Sequence, residues 1–216
     1  MSGLFLTIEG GEGAGKSLFL KGLTQVLTTR GKAFVLTREP GGTPLADQIR
    51  SLFLDPPEGD SPTALTELFL VSAARSQHVS QKIKPALAQG LWVLCDRFYD
   101  SSRVYQGSLG GVETSVLETL LTTSVQGCHP DLSFVLDCPP EISMARVRQR
   151  AAANGLSMDK SNRYDGGNTA MHERLRAGYL DLARRFPDRV QVLDAATTPE
   201  QVLSEALLVL EKRGYL

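Results

Sequence analysis

The sequence is poor in cysteine, balanced in charge and free of long apolar runs, and each of these absences excludes a class of protein. Its three cysteines, Cys95, Cys128 and Cys138, are odd in number and lack metal-ligand spacing, which favours reduced thiols over a disulfide framework or a zinc site. The 23 basic and 24 acidic residues give a formal net charge of -1, so bulk charge indicates no nucleic acid polymer as a partner. Because no apolar run reaches about eighteen residues and no leader-like segment opens the chain, we expect a soluble, cytoplasmic protein with no membrane partner.

The stretch from Gly10 to Ser17 is the most informative feature that is present. It reads Gly-Gly-Glu-Gly-Ala-Gly-Lys-Ser, fits the spacing G-x-x-x-x-G-K-[ST], and lies between a strand-like apolar run and a helical pattern. In such a loop the backbone N–H groups surround phosphate oxygens, the lysine reaches the β and γ phosphates and the hydroxyl binds Mg²⁺. A glycine-rich turn with a chance Lys-Ser is the alternative. The predicted phosphate site consists of Gly10, Gly11, Glu12, Gly13, Ala14, Gly15, Lys16 and Ser17, with Ser17 as a metal ligand.

Five short apolar runs, at 4–8, 33–36, 91–95, 132–136 and 190–193, alternate with segments of helical apolar spacing. This alternation is typical of a parallel sheet covered by helices. With 216 residues, of which 42% are hydrophobic, the chain is long enough for one substantial core. We therefore predict an α/β fold of the P-loop NTPase type, in which one domain contains a parallel five-stranded sheet with helices on both faces.

Charged residues follow the second and third apolar runs. Arg38 and Glu39 end the second, and Asp96 and Arg97 end the third. Ligands of open α/β sheets bind beyond the carboxyl ends of the strands, and P-loop enzymes use an acid there to hold Mg²⁺ and an arginine to balance phosphoryl charge. The alternatives are a solvated turn and a surface ion pair. Arg75 lies in a small, apolar stretch, where a buried arginine needs an acceptor that a ligand can supply.

Pairs of a hydroxyl residue and a proline predict where several helices begin. Thr43-Pro44, Ser61-Pro62 and Thr198-Pro199 each place a capping hydroxyl before a proline suited to the first helical turn. The second of these helices is expected to continue past His78 toward Ile83. A loop is predicted at 108–111.

A further helix is predicted to begin at Pro139-Pro140-Glu141, and it contains Arg146, Arg148 and Arg150. Arginines spread around a helix are, taken alone, typical of a solvated surface. The apolar periodicity then disappears over residues 151–167. This polar stretch is predicted to be the mobile segment of the chain.

The spaced motifs together resemble the bacterial thymidylate kinase family over nearly the whole chain. They are Glu-Gly-Gly-Glu-Gly-Ala-Gly-Lys-Ser, Thr-Arg-Glu-Pro-Gly-Gly-Thr, Ala-Ala-Arg-Ser-Gln-His, Asp-Arg-Phe and Ser-Ser-Arg-Val-Tyr-Gln-Gly, in this order. The resemblance implies phosphorylation of dTMP to dTDP with ATP and Mg²⁺, by in-line transfer of the γ-phosphoryl group. It also implies a homodimer.

The same resemblance implies roles for individual residues toward the acceptor nucleotide. Lys16 and Ser17 would serve ATP and Mg²⁺. Asp96 is the other residue expected to hold the Mg²⁺ ion. The residues that the resemblance places around dTMP are Arg50 and Arg97 at the phosphate, Arg75 at the thymine carbonyl, Ser102 and Gln106 at the base edge, Tyr105 under the deoxyribose, Glu12 at the 3′-hydroxyl and Glu39 near the metal or its water.

In the bacterial form of this family the lid supplies the transition-state arginine, and Gly13 and Ala14 leave no arginine in the loop. The resemblance therefore implies a lid over about 146–167. Arg150 is expected at the γ-phosphate, and Arg146 or Arg148 nearer the adenine. Asp194, at the end of the fifth run, is expected on the ATP side.

Val71 departs from the family pattern, which has a phenylalanine that stacks on thymine four residues before the helix arginine. Phe69 is on a different side of a helix and is no obvious substitute. The departure predicts weaker binding of thymine. Val71→Phe is accordingly expected to lower the KM for dTMP, unless another side chain already fills the space.

Other functions share parts of this pattern. A deoxynucleoside kinase has the P-loop and the Asp-Arg pair but needs a carboxylate base after the second strand, a position that Glu39 occupies. Another nucleoside monophosphate kinase is a second alternative, and a non-catalytic ATP-binding protein is a third. A GTPase switch requires a late Asn-Lys-x-Asp motif, which this sequence lacks.

Overall fold

A computed structural model describes residues 3–153 and 168–216 of the chain. Five parallel strands form one sheet in the order β2-β3-β1-β4-β5. The strands are β1 (Phe5–Glu9), β2 (Phe34–Arg38), β3 (Trp92–Asp96), β4 (Leu132–Asp137) and β5 (Val190–Asp194). Their positions agree with the five apolar runs to within one or two residues, which confirms the predicted α/β fold.

The helices connect successive strands, except for the last helix, which follows β5. They are α1 (Lys16–Thr29), α2 (Pro44–Leu54), α3 (Ala64–His78), α4 (Lys84–Ala88), α5 (Tyr99–Ser102), α6 (Thr114–Val125), α7 (Pro140–Ala153), α8 (Thr169–Arg185) and α9 (Pro199–Lys212). Two segments, Val79–Ile83 and Arg103–Leu109, have π-helical geometry. None of the helices described is both long and apolar enough to cross a membrane.

Side chains of the central strands alternate between two cores. Leu6 and Ile8 of β1 pack with α1 and α9, whereas Phe5 packs with α3 and α6 on the opposite face. The period of two along a strand explains this division, since successive side chains point to opposite faces of the sheet. Cys95 contributes to the second core, and all three cysteines are buried free thiols, as predicted.

Two of the three predicted helix starts are confirmed. Thr43 accepts a hydrogen bond from the backbone of α2, and Thr198 forms a reciprocal capping box with Gln201 in α9. The start predicted at Ser61-Pro62 is wrong, because Thr63 caps α3 by accepting from the Thr66 N–H. A hydroxyl directly before the helix meets the unpaired N–H groups of its first turn, and Ser61 stands two residues too early to do so.

The two π-helical segments differ from the predictions made for residues 79–83 and 108–111. The helix predicted to continue past His78 changes at Val79 to π-helical geometry up to Ile83. The loop predicted at 108–111 is π-helical as far as Leu109. There the Gly110 N–H donates to the Tyr105 carbonyl at 2.9 Å, a five-residue spacing that widens the helix. Of the segment predicted to be mobile, 151–153 belongs to α7 and 154–167 lies outside the described residues.

Candidate active site

The carboxyl ends of β1, β2 and β3 meet at a cavity of about 400 Å³. Residues that are far apart in sequence line it together, because parallel strands end at one edge of the sheet. The lining includes these residues singled out from the sequence: Glu12, Gly13, Gly15, Lys16, Ser17, Glu39, Arg50, Val71, Arg75, Asp96, Arg97, Ser102, Tyr105, Gln106, Arg146 and Arg150. Gly10, Gly11, Ala14, Arg148 and Asp194 lie outside this lining.

The predicted P-loop forms the floor of the cavity. Lys16 begins α1, and its Nζ donates to the carbonyls of Gly10 at 3.1 Å and Gly11 at 2.8 Å, which closes the loop around the ammonium group. Gly13 has a φ of 73°, and a Cβ there would collide with the Ser143 carbonyl oxygen of α7. Only glycine meets both constraints. Burial lowers the pKa of Lys16.

Arg97 connects the loop to the rest of the site. Its Nη1 donates to the Gly10 carbonyl at 2.8 Å and to the Tyr179 hydroxyl at 2.9 Å, and its Nη2 donates to Glu12 at 2.5 Å. Its guanidinium lies 5.2 Å from the centre of the Tyr105 ring. Arg97 has a φ of 66°, a left-handed conformation that is unfavourable for a residue with a side chain and is concentrated at functional sites.

The two acids at the start of the loop have opposite pKa shifts. Burial raises the pKa of Glu12, but the charges of Arg97 and Lys16 outweigh it and lower the pKa to about 2.

Burial and the nearby Asp100 raise the pKa of Glu9 to about 8, although hydrogen bonds from Ser101 and the backbone of residue 98 oppose the shift. Sequence reasoning missed Glu9. The signal was a carboxylate at the end of an otherwise apolar strand.

Asp96 and Ser17 bring oxygen donors to the cavity. The Asp96 Oδ1 is buried and has no hydrogen-bond partner among residues 3–153 and 168–216. Ser17 is exposed in the first turn of α1. In the same ranges, no group of three or more His, Cys, Asp or Glu side chains is placed to hold a metal ion.

Arg75 is held at the opposite end of the cavity. It is 2% exposed; its Nε donates to Glu39 at 2.8 Å and its Nη2 to Ser102 at 3.0 Å. The Arg75 Nη1 is buried, and the described residues offer it no hydrogen-bond partner. Since an unpaired buried donor costs free energy, this atom indicates an acceptor on a ligand.

Glu39 is occupied by protein contacts. Besides Arg75, its carboxylate lies 3.1 Å from the Nδ1 of His78, whose Nε2 lies 2.7 Å from the Thr37 hydroxyl. Its side chain is 3% exposed. The geometry therefore makes Glu39 an anchor for Arg75. Sequence reasoning missed His78, because its partners are distant in the chain.

Gln106 is held by Glu67, another residue that sequence reasoning missed. Its Nε2 donates to the Glu67 carboxylate at 2.9 Å, and both side chains are buried. Because a carboxylate only accepts hydrogen bonds, the amide NH₂ group must face Glu67. The amide oxygen of Gln106 is then the acceptor available at the cavity.

Positive charge is concentrated between the loop and the Arg75 end. Arg50 of α2 donates from Nη1 to the Pro40 carbonyl at 2.9 Å and is half-buried. Burial and the charge of Arg38 lower the pKa of Arg50. Arg38, Arg50 and Arg97 all line the cavity. Cations gathered in this way suit a dianionic phosphate.

The arginines of α7 divide between the cavity and solvent. Arg146 and Arg150 line the cavity, and the Arg146 Nη1 donates to the Ala195 carbonyl at 2.9 Å. Arg148 is exposed and stands outside the lining. The helix explains the division, since positions i and i+4 share a face and position i+2 does not.

Asp194, beside Ala195, is exposed, and its Oδ1 accepts a hydrogen bond from the N–H of residue 196.

The structure shows which side chains lie near the space left by the small side chain of Val71. Val71 is 5% exposed and lines the cavity, whereas Phe69 is 53% exposed and points away from it. Phe69 therefore does not fill the space. Phe53 of α2, which sequence reasoning missed, lines the same cavity.

Comparison with known proteins agrees with this geometry. The family model described as thymidylate kinase matches residues 8–206. The chain is 45% identical over 210 residues to a thymidylate kinase of Desulfosudis oleivorans, covering 97% of each chain. It is 47% identical over 202 residues to a thymidylate kinase of Pseudomonas putida, covering 94% of this chain and 92% of that one.

A solved structure gives the same result. The crystal structure of thymidylate kinase from Ehrlichia chaffeensis matches with a TM-score of 0.74 and 28% identity, over 97% of this chain and 99% of that chain. Sequence and structure thus agree over nearly the full length. The chain belongs to the thymidylate kinase family.

Proposed function

We propose that this protein is an ATP-dependent dTMP kinase, a phosphotransferase that passes the γ-phosphoryl group of ATP in line to dTMP and forms dTDP for dTTP synthesis. One observation carries the proposal: the P-loop lysine, Lys16, shares a single cavity of about 400 Å³ with Arg50, Arg97 and Arg75. A triphosphate site and a nucleoside monophosphate site therefore adjoin each other. Family membership supports this assignment.

At the triphosphate end, Lys16 and the backbone N–H groups of the loop bind the β and γ phosphates. Arg150 contacts the γ-phosphate from α7. Arg146, which is tied to the end of β5 through Ala195, contacts the adenine end. Arg148 faces solvent and takes no part. These cations stabilise the charge of the transferring group, which is the main contribution proteins make to phosphoryl transfer.

Ser17 and Asp96 would hold Mg²⁺. Their hard oxygen donors suit this ion, and the unpartnered Oδ1 of Asp96 supports the assignment. When bound, the ion would supply positive charge that offsets the charge developing on the phosphate oxygens. The remaining ligands would come from the nucleotide and from water, which is usual for this ion.

Arg50 and Arg97 bind the phosphate of dTMP. Glu12, held on Arg97 at 2.5 Å, is ionised at neutral pH because its pKa is lowered to about 2, and it accepts a hydrogen bond from the 3′-hydroxyl. Tyr105, whose ring is fixed under Arg97, packs against the deoxyribose. A phosphate acceptor is already ionised, so its attack on ATP requires no general base.

Arg75, Ser102 and Gln106 recognise the thymine edge. The Arg75 Nη1 donates to a carbonyl of the base. The Gln106 oxygen, oriented by Glu67, accepts from the N3–H group of thymine. Cytosine has an acceptor at that position, so its pairing with the Gln106 oxygen is unfavourable.

A deoxynucleoside kinase is the less favoured alternative. Such an enzyme would need a free carboxylate near the acceptor to remove a hydroxyl proton. Glu39 is held by Arg75 at 2.8 Å and by His78 at 3.1 Å. These contacts favour a positioning role for Glu39 over that of a base.

The test is a phosphorylation assay of purified protein with ATP and Mg²⁺ against dTMP, dUMP, dCMP, dGMP, AMP and thymidine. We expect dTMP to have the highest kcat/KM of the six. Phosphorylation of thymidine without phosphorylation of dTMP would refute the proposal. Fastest turnover of dGMP or AMP would instead indicate another nucleoside monophosphate kinase.

We propose further that the protein forms a homodimer through the outer faces of α2 and α3. Leu45 and Leu52 stand two turns apart on α2 and are 51% and 49% exposed. Leu65 and Phe69 stand one turn apart on α3 and are 43% and 53% exposed. Apolar side chains gathered on neighbouring helices are typical of an interaction surface.

Sedimentation of the wild type and of Phe69→Glu tests this surface. We expect a dimer that the variant dissociates, and a control, Leu208→Glu, that remains dimeric because this exposed residue lies on α9. A wild-type monomer of 23.4 kDa at micromolar concentration would refute the proposal.

Two broader assignments complete the proposal. Residues 1–216 act as a single nucleoside monophosphate kinase domain. The protein works in the cytoplasm, where its three buried thiols remain reduced. Recovery of the protein in the cytoplasmic fraction of its source cells is the corresponding measurement.

A further inference from the structure

The end of the cavity that contains Arg75 also has an apolar wall built by two helices. Phe53 of α2 and Val71 of α3 both line the cavity, and they are 6% and 5% exposed. They belong to the same core cluster. An aromatic ring and a small aliphatic group are therefore placed beside the polar groups that read a planar base.

The position of Phe53 on its helix connects it to the phosphate. Phe53 follows Arg50 by three residues, and positions three apart lie on the same face of a helix. Leu52, which directly precedes Phe53, faces outward and is 49% exposed. One face of α2 thus presents both a cation and an aromatic ring to the cavity.

We propose that Phe53 packs against the pyrimidine ring of the acceptor nucleotide and that the small side chain of Val71 leaves the room this packing requires. The proposal rests on the proposed dTMP kinase function and adds a specificity-determining residue to it. Protein interiors are close-packed, so two large side chains at positions 53 and 71 would compete for one volume. Base recognition in this chain therefore uses an aromatic side chain from α2 in combination with a valine from α3.

Phe53→Leu is the direct test, because leucine keeps most of the apolar volume and removes the ring. We expect the KM for dTMP to rise about tenfold, equivalent to about 1.4 kcal/mol, while the KM for ATP changes less than twofold. Phe34→Leu is the matched control, since it makes the same change on β2 at a position outside the cavity lining. It should leave both KM values unchanged.

Deoxyribose 5-phosphate separates base packing from a general structural effect. This probe has the sugar and phosphate but no base, so its inhibition constant should be the same for the wild type and for Phe53→Leu. An equal loss of affinity for the probe and for dTMP would overturn the proposal. If Phe53→Leu does not fold, Phe53→Met, which also retains volume, is measured in the same way.

The paired variant tests the link between positions 53 and 71. Val71→Phe alone should raise the KM for dTMP, and Phe53→Leu combined with Val71→Phe should bring the KM back below that of Phe53→Leu. A wild type that is active on dTMP, with a Phe53→Leu variant whose KM lies within twofold of it, would overturn this inference and leave the proposed function standing. A wild type without activity on dTMP would overturn both.

Discussion

Glu9 provides the sharpest test of the electrostatics beneath the P-loop. This last residue of β1 is 0% exposed; it accepts a hydrogen bond from the N–H of Phe98 at 2.8 Å and another from the Ser101 hydroxyl at 2.6 Å. Burial and the charge of Asp100 raise its pKa from 4.5 to about 8. Glu9→Gln keeps the shape of the side chain and removes its ionisation.

The direction of the effect follows from proton linkage. Between pH 4.5 and about 8 the folded protein holds a proton on Glu9 that the unfolded chain has released. The contribution of Glu9 to the free energy of unfolding is therefore fully present below pH 4.5 and is lost as the pH rises toward 8. Each pH unit within the window corresponds to at most about 1.4 kcal/mol. From pH 5.5 to 7.5 the wild type should lose up to about 3 kcal/mol relative to Glu9→Gln.

Urea unfolding of both proteins at pH 5.5, 6.5 and 7.5 measures this change. The free energy of unfolding of Glu9→Gln minus that of the wild type should increase with pH, because all other titrating groups cancel in the difference. Glu58→Gln, at an exposed position between α2 and α3, is the control and should give a constant difference. A difference for Glu9→Gln that does not vary with pH would refute the reasoning.

Three further substitutions test the proposed site. Lys16→Ala should lower kcat by roughly a thousandfold or more, since we propose that this buried ammonium binds the transferring phosphates; near-normal turnover in a steady-state assay would show that the loop is misassigned. Asp96→Asn should raise the Mg²⁺ concentration needed for half-maximal activity, whereas an unchanged Mg²⁺ titration would remove Asp96 from the metal site. Glu67→Gln should reduce the preference in kcat/KM for dTMP over dCMP by about tenfold, because the amide of Gln106 loses its fixed orientation; an unaltered ratio would contradict that role.

Local sequence was sufficient for the features that depend on spacing along the chain. The P-loop was predictable because the conformation of eight consecutive residues and the helix that follows determines the phosphate cradle. The five strands were predictable because buried parallel strands require short apolar runs. Asp96 and Arg97 were predictable for a related reason, since the end of a strand is visible where the apolar run stops.

Contacts between distant parts of the chain were not predictable in this way. Glu67 meets Gln106 across 39 positions, and the partners Arg75 and Glu39 are 36 positions apart. The start of α3 at Thr63 was missed for a different reason, since only the folded backbone shows which hydroxyl directly precedes the first helical turn.

The fold class, the phosphate loop and the family could be predicted from the sequence alone, because these depend on motifs whose geometry is local. The folded structure was needed to show that Phe53 lines the cavity beside Val71, that Arg148 faces solvent and that Glu9 is buried with a raised pKa. Each of these depends on which surfaces pack against each other. The burial, charge and free volume that a side chain meets are set by neighbours that its position in the sequence does not reveal.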